Sequence, residues 1–141
     1  MRARDGCREI RAALPATLDA LEGFLGDLRP WLRCLPASAD RFAAELLLRE
    51  ALTNAVLHGS AGDASRQVRC AVRLVPGRLS ITVADDGQGF DWSAARDHRA
   101  PAASASGRGM EIFRVYAARV RFSRKGNVTT MIRRVEAQEK T

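Results

Sequence analysis

The sequence predicts an α+β fold, a two-layer α/β sandwich in which a mostly antiparallel sheet carries helices on one face. Leucine and alanine recur at helical spacing in two long early segments, whereas two later segments alternate apolar and polar residues around short turn signals. The elements follow in the order strand, helix, helix, hairpin, helix, hairpin. We therefore expect one domain over residues 1–141, with a core from about residue 8 to residue 135.

The first predicted elements are a short edge strand at residues 8–14 and a helix behind it. The strand alternates apolar side chains and ends at Pro15. Thr17 is the expected N-cap of a helix that runs to about Arg33, with leucines repeating at helical spacing. Pro30 lies late in that helix and is expected to kink it or end it.

The second helix contains the stretch 45–59, which is rich in leucine and alanine and contains no proline. Gly59 provides a stop signal, and Ser38 or Asp40 is the expected cap at the other end. The chain then changes to strand periodicity. Residues 67–74 and 79–84 form a hairpin around Pro76-Gly77, and residues 119–124 and 128–134 form a second hairpin.

Two further segments lie between the hairpins. Residues 92–106 contain Pro101 and a run of alanine and serine, which is typical of a mobile loop or lid. Gly107-Arg108-Gly109 is predicted to open a third helix over residues 110–118. The sequence 1–6 reads as a loose tail, and 136–141 as a charged tail.

The charge of the chain favours anionic partners, since 23 lysines and arginines outnumber 16 acidic residues and the sequence pI is about 10.6. Nucleic acid is not expected as a partner, because the arginines are scattered and aromatic residues make up only 6% of the chain. No apolar run approaches ~20 residues and no signal-peptide pattern is present, so we expect no membrane span. Three cysteines without a CxxC pair predict a cytoplasmic protein without a disulfide framework or zinc site.

The central helix carries an unusual set of polar residues. Glu50, Asn54 and His58 follow at i, i+4 and i+8, so they are expected to share one face. The same face is predicted to hold apolar residues, namely Ala43, Leu46, Leu47 and Leu57. Burying such polar groups unpaired costs about 1–3 kcal/mol each. A ligand or metal could satisfy them, and hydrogen bonds to neighbouring loops are an almost equally good explanation.

A second group of polar residues lies at the end of the first hairpin. Asp85 is in phase with the apolar residues of its strand and should point inward, whereas Asp86 should point outward. An inward carboxylate at a strand end can accept a hydrogen bond from an amino group such as adenine N6. Gly87 and Gly89 let the backbone approach a planar ring closely. Each signal alone is weak.

The backbone at Gly107-Arg108-Gly109 suits phosphates, because free N–H groups and a positive dipole end lie at the start of a helix. The signal is again weak alone, and no P-loop sequence occurs in the chain. The order of the three segments is specific. It resembles the N, G1 and G2 boxes of the GHKL ATPase superfamily, which has the Bergerat nucleotide-binding fold. Within it the chain is similar to bacterial anti-sigma factor serine-protein kinases, from about residue 8 to residue 135.

This resemblance implies ATP and Mg²⁺ as ligands and assigns roles to residues. Asn54 would ligate Mg²⁺, Glu50 would be the general base that takes a proton from a substrate serine, and His58 would contact phosphate. The remaining assignments concern the nucleotide: Asp85 would bind adenine, Gly87 and Gly89 would line the ring pocket, and Gly107, Arg108, Gly109 and Met110 would cradle phosphates. Thr130, in phase with Val128 and Ile132, is predicted to face inward and reach adenine, with Thr129 as the rival.

The function that the resemblance implies is an ATP-dependent serine kinase that also acts as a binding switch. Its partners would be a STAS-domain anti-anti-sigma protein and a sigma factor or similar regulator, and a homodimer is expected. The main alternative is a nucleotide-binding module that sequesters a partner without phosphorylating it. Two weaker alternatives are a phosphorelay component related to histidine kinases and a basic nucleic-acid binder.

Overall fold

The computed structural model describes residues 2–4, 7–60, 63–86, 105–123, 125 and 127–137. Its elements in chain order are β1 (Arg2–Arg4), β2 (Cys7–Pro15), α1 (Leu18–Leu32), α2 (Ser38–Asn54) with a terminal π-helical turn (Ala55–Gly59), β3 (Gln67–Val75), β4 (Arg78–Asp85), α3 (Ala105–Tyr116), β5 (Arg119–Phe122) and β6 (Val128–Arg134). The early tail was predicted to be irregular, but Arg2–Arg4 pairs with β2 as a sixth strand.

The six strands form a single sheet in the order β1-β2-β3-β4-β6-β5, and every neighbouring pair is antiparallel. The helices pack on one face: α1 contacts β2, α2 contacts β4 and β6, and α3 contacts β5. This is the predicted α+β sandwich. The two antiparallel hairpins and the two leucine-rich helices lie where the sequence periodicity indicated.

The core lies between the helices and this face of the sheet. Aliphatic side chains dominate it, as expected from the low aromatic content, and Leu25, Leu48 and Ile81 are among those that are buried. Strands β3 and β4 bury alternate residues along their length. This alternation fixes the register, because a slip of one residue would turn every apolar side chain of a strand to the opposite face.

Helix α1 begins as predicted, with the hydroxyl oxygen of Thr17 accepting the N–H of Ala20 at 3.1 Å. Pro30 lies inside the helix and does not end it. The last turn closes beyond the proline, where the N–H of Arg33 bonds to the Pro30 carbonyl at 3.3 Å.

The predicted cap of α2 is wrong. Ala37 precedes the helix and offers no side-chain cap. Asp40 instead forms hydrogen bonds to distant parts of the chain. Its carboxylate accepts one from Nη2 of Arg133 at 2.9 Å and one from the backbone N–H of Glu136 at 2.9 Å. The same arginine donates to the carbonyl of Tyr116 at 2.7 Å. Asp40 therefore connects the start of α2 to β6 and to the end of α3.

The turn between β3 and β4 follows the predicted chemistry, since Gly77 has φ of +79° after Pro76. A type II turn requires such a positive φ at this position. The start of α3 differs from the prediction, because the helix begins at Ala105 and includes Gly107-Arg108-Gly109 in its first turns. Residues 92–104 of the predicted lid lie outside the described part of the chain.

Candidate functional site

The central helix ends in an uncommon way. After Asn54 the backbone continues for five residues as a π-helical turn, closed by a hydrogen bond from Ser60 N–H to the Ala55 carbonyl at 2.8 Å. Such turns occur mainly as single insertions in helices and are frequent at functional sites. The wider turn changes which residues face the sheet, so Gly59 and Ser60 are buried while Leu57 and His58 are exposed. The predicted inward placement of Leu57 is therefore wrong.

Asn54 lies at the end of α2 with only 4% of its surface exposed. Neither its amide oxygen nor its amide nitrogen has a hydrogen-bond partner within the described residues. Leaving buried polar groups unsatisfied costs about 1–3 kcal/mol each, so native structures rarely retain them without a reason. A ligand that presents hard oxygen atoms, or a cation held by the amide oxygen, would satisfy this side chain.

Asp85 approaches the π-helical turn from the sheet side. It is 6% exposed and points inward at the end of β4, as its phase predicted. A Cβ atom built on Gly59 would lie 2.1 Å from Oδ2 and 2.3 Å from Cγ of Asp85. Only a glycine leaves room for this carboxylate. The fold therefore brings the Asp85 carboxylate against the turn that follows Asn54.

The backbone of Asp85 is held from the neighbouring hairpin. The Asp85 N–H donates to the carbonyl of Asn127 at 3.0 Å, and the Asn127 side-chain amide donates back to the Asp85 carbonyl at 3.1 Å. The Asn127 amide oxygen in turn accepts the Ser123 hydroxyl at 3.2 Å. Asp86 is exposed, as predicted, and pairs with Arg69 at 3.2 Å. The two adjacent aspartates therefore have different environments.

The threonine beside Asp85 was assigned to the wrong face. Thr129 is 8% exposed and pairs directly with Val83, whose side chain points inward. Thr130 pairs with Thr82, so it lies on the opposite face of the sheet. Directly paired residues of antiparallel strands share a face. The rival, Thr129, is therefore the threonine on the face that carries Asp85.

Glu50 lies one helical turn before Asn54 and is half-buried, so the two side chains share an edge of α2 as predicted. His58 is exposed after the π-helical turn, and its phosphate contact stays a prediction. Gly87 and Gly89 lie outside the described residues. Their predicted role in the ring pocket therefore also stays a prediction.

The start of α3 has fewer backbone N–H groups available for phosphate than the sequence suggested. Gly107 is the third residue of α3, and the N–H groups of the first three residues have no partner within a helix. The N–H groups of Arg108, Gly109 and Met110 fall where intrahelical bonds are made. The Met110 side chain is buried in the hydrophobic core, so packing is its main role. The helix start thus leaves one of the four predicted backbone donors available.

The donor set also fits Mg²⁺, which takes hard oxygen ligands and usually keeps several waters. Within the described ranges no three His, Cys, Asp or Glu side chains are grouped so that they could hold a metal. If Mg²⁺ binds here, the unsatisfied Asn54 amide oxygen would hold it.

No helix in the described part of the chain has the length and hydrophobicity that a membrane span requires.

A comparison with protein families identifies the domain. The family model of the histidine kinase-like ATPase domain matches residues 14–133. The chain belongs to this family. The match includes α2, the π-helical turn, Asp85 and the start of α3, so the residues discussed above lie within the ATPase domain. Membership implies that this domain binds ATP.

Among solved structures, this chain is similar to the histidine kinase domain from the Erythrobacter litoralis EL346 blue-light activated histidine kinase. It is 22% identical, with a TM-score of 0.48, and the match covers 83% of this chain and 61% of that chain. No curated protein gives a significant match.

Three features of this ATPase site could not be found by sequence reasoning. The π-helical turn has no composition signal, and Gly59 was interpreted only as a helix stop. Ser60 is fully buried with no partner for its hydroxyl among the described residues. Asn127 looked like an ordinary turn residue, although its side chain holds a strand end 42 residues away in sequence.

Proposed function

We propose that this chain is an ATP-dependent serine-protein kinase that also acts as a regulatory switch. It would phosphorylate a STAS-type anti-anti-sigma partner and bind a sigma factor or a similar regulator. The observation that carries the proposal is the buried, unsatisfied Asn54 with Glu50 one helical turn before it. The first residue suits the phosphate end of a nucleotide, and the second provides a carboxylate beside that end.

The proposed chemistry assigns different work to each side chain. The Asp85 carboxylate accepts a hydrogen bond from the N6 amino group of adenine and so orients the bound nucleotide. Asn54 offers its amide oxygen to Mg²⁺. When bound, Mg²⁺ would neutralise negative charge on the phosphates. The N–H groups at the start of α3 would bind phosphate oxygens at the positive end of the helix dipole.

The transfer step requires a base, because a serine hydroxyl is a weak nucleophile at neutral pH. The Glu50 carboxylate takes the hydroxyl proton while the serine oxygen forms a bond to the γ-phosphorus. The bond between that phosphorus and the bridging oxygen breaks, and ADP leaves. The products are phosphoserine on the partner and a protonated Glu50, which then returns its proton to water.

The test is phosphate transfer from γ-labelled ATP to a STAS-domain protein, sought first among the proteins encoded beside this gene. Glu50→Gln keeps size and polarity but removes basicity, so it should bind ATP normally while transfer slows by about 10²–10⁴-fold. Glu45→Gln is the matched control. It lies on the same helix, pairs with Arg29 outside the site, and should transfer at the parental rate.

Two outcomes would contradict the kinase proposal. Glu50→Gln protein that transfers phosphate at the parental rate would remove the base assignment. A parent protein that binds ATP but phosphorylates no neighbouring STAS protein would favour the sequestering module, in which nucleotide regulates partner binding without transfer.

A further inference from the structure

The face of the sheet opposite the helices is strongly basic. No described element covers it, and the residues of β2–β6 that point this way are set by the strand register. They include seven exposed arginines, namely Arg11, Arg69, Arg73, Arg78, Arg119, Arg121 and Arg134. Two acidic residues among the described residues point this way: Glu9, which pairs with Arg11, and Asp86, which follows β4 and pairs with Arg69. We call this surface the arginine face.

Three of these arginines lie at one end of this face, around a cavity of about 580 Å³. Arg78, Arg119 and Arg134 line it together with Ile132 and the turn between β3 and β4. Arg78 and Arg134 are direct partners across β4 and β6, and like charges in such a pair destabilise a sheet. None of the three forms an ion pair within the described residues. An anionic group in the cavity would relieve this repulsion.

The other end of the face has a shallower depression of about 420 Å³. Its floor is made of small side chains, including Ala13, Ala71 and Ala84, and Arg11 and Arg69 stand beside it. A small apolar floor with arginines around it is typical of protein–protein interfaces, where arginine is enriched and lysine is depleted.

We propose that the arginine face is a docking surface for an acidic segment of another protein. A second copy of this chain is the poorer occupant, because a two-fold contact through this face would bring arginines against arginines. Single-stranded nucleic acid is also poorer, because the face presents no aromatic ring for base stacking among its described residues. Carboxylates of a protein partner match the charge of the arginines, and apolar side chains of the same segment match the apolar floor.

This surface is separate from the ATP pocket, and the proposal does not depend on kinase activity. Arg78 begins β4 and Asp85 ends it, so the two lie about 23 Å apart along a strand that rises about 3.3 Å per residue. They also point to opposite faces of the sheet. An acidic partner would therefore bind while the nucleotide site is still accessible.

The test uses a labelled polyglutamate peptide, whose binding is followed by fluorescence anisotropy and whose site is mapped by amide chemical shifts. The double variant Arg78→Gln/Arg134→Gln should weaken binding about tenfold, because two of the charges at the cavity are lost. The matched control Arg29→Gln/Arg33→Gln removes the same charge from the C-terminal end of α1 and its cap, and should change affinity less than about twofold. The amide chemical shifts that change on peptide binding should belong to the β3–β4 turn, β5 and β6. Saturating ATP should leave the affinity for the peptide unchanged.

Three results would overturn the proposal. Equal weakening by both double variants would show that the peptide responds only to net charge. Tighter binding of an oligonucleotide than of polyglutamate, with shifts on the same strands, would make nucleic acid the occupant. A dimer in sedimentation that Arg78→Gln/Arg134→Gln strengthens would assign the face to a second copy of the chain.

Discussion

Replacing Gly59 with alanine tests whether the position of the Asp85 carboxylate determines nucleotide binding. The added methyl carbon would lie 2.1 Å from Oδ2, 2.3 Å from Cγ and 2.7 Å from Oδ1 of Asp85. All three atoms are far inside contact distance, so no small adjustment relieves the overlap. The backbone at Gly59 does not have the positive φ that alanine avoids. The effect therefore comes from the clash with the carboxylate.

Two magnitudes follow for Gly59→Ala. Overpacking of this kind costs about 1–3 kcal/mol of folding free energy, which the higher helix propensity of alanine offsets by at most about 1 kcal/mol. The displaced carboxylate can no longer accept a hydrogen bond from adenine. A hydrogen bond to a charged group contributes about 1.5–3 kcal/mol, so the dissociation constant of ATP should rise about 10- to 150-fold.

The assay is calorimetric titration with ATP in Mg²⁺, together with thermal unfolding of the protein without nucleotide. Gly26→Ala is the control, because a Cβ at Gly26 has nothing within 4 Å and the residue is exposed in α1. It should raise the free energy of unfolding by about 1 kcal/mol and leave ATP affinity unchanged. Gly59→Ala protein that is folded and binds ATP with parental affinity would refute the reasoning.

Three further predictions concern other buried groups. Asp85→Ala should abolish the rise in melting temperature that ATP produces, whereas Asp86→Ala should keep it. Equal behaviour of the two variants would show that the inward direction of the Asp85 side chain does not matter for ATP binding. Asp40→Ala should lower the free energy of unfolding, measured in urea, by about 3 kcal/mol, because it leaves the charge of Arg133 without its partner. Asp86→Ala removes an exposed ion pair and should lower the same free energy by less than about 1 kcal/mol. Burial raises the pKa of the Cys70 thiol to about 12, from 9.0. Iodoacetamide should therefore modify this thiol only after unfolding. The free energy of unfolding should fall as the pH rises from 9.0 to about 12, because the thiol of the unfolded chain releases its proton first. Cys70→Ala should lose this pH dependence.

The sequence predicted most of the sheet and both long helices, because the patterns there are strong. Alternation in β3 and β4 follows directly from one buried face, and Pro76-Gly77 has the chemistry of the turn that joins them. The inward direction of Asp85 came from the same alternation. Thr17 was found because an N-cap is a local feature that a few residues decide.

The errors arose where local sequence does not determine the outcome. Aspartate commonly caps helices, but the Asp40 carboxylate binds the guanidinium of Arg133, which lies 93 residues away in sequence. Thr129 and Thr130 cannot be separated by composition, and the actual phase of β6 depends on its pairing with β4. The π-helical turn changed the direction of Leu57 and His58, because its wider turn interrupts the 3.6-residue period from which their faces were inferred.

The measurement that tests the central claim most directly is the Mg²⁺ dependence of ATP affinity in parent and Asn54→Ala proteins. Asn54 carries a buried amide with no partner among the described residues. Its removal should therefore leave the free energy of unfolding unchanged or higher, since an unsatisfied buried group costs about 1–3 kcal/mol. In the parent, Mg²⁺ should strengthen ATP binding, and in Asn54→Ala that gain should be largely lost while Mg²⁺-free affinity is kept. An Asn54→Ala protein with the full Mg²⁺-dependent gain would contradict the assignment of this site.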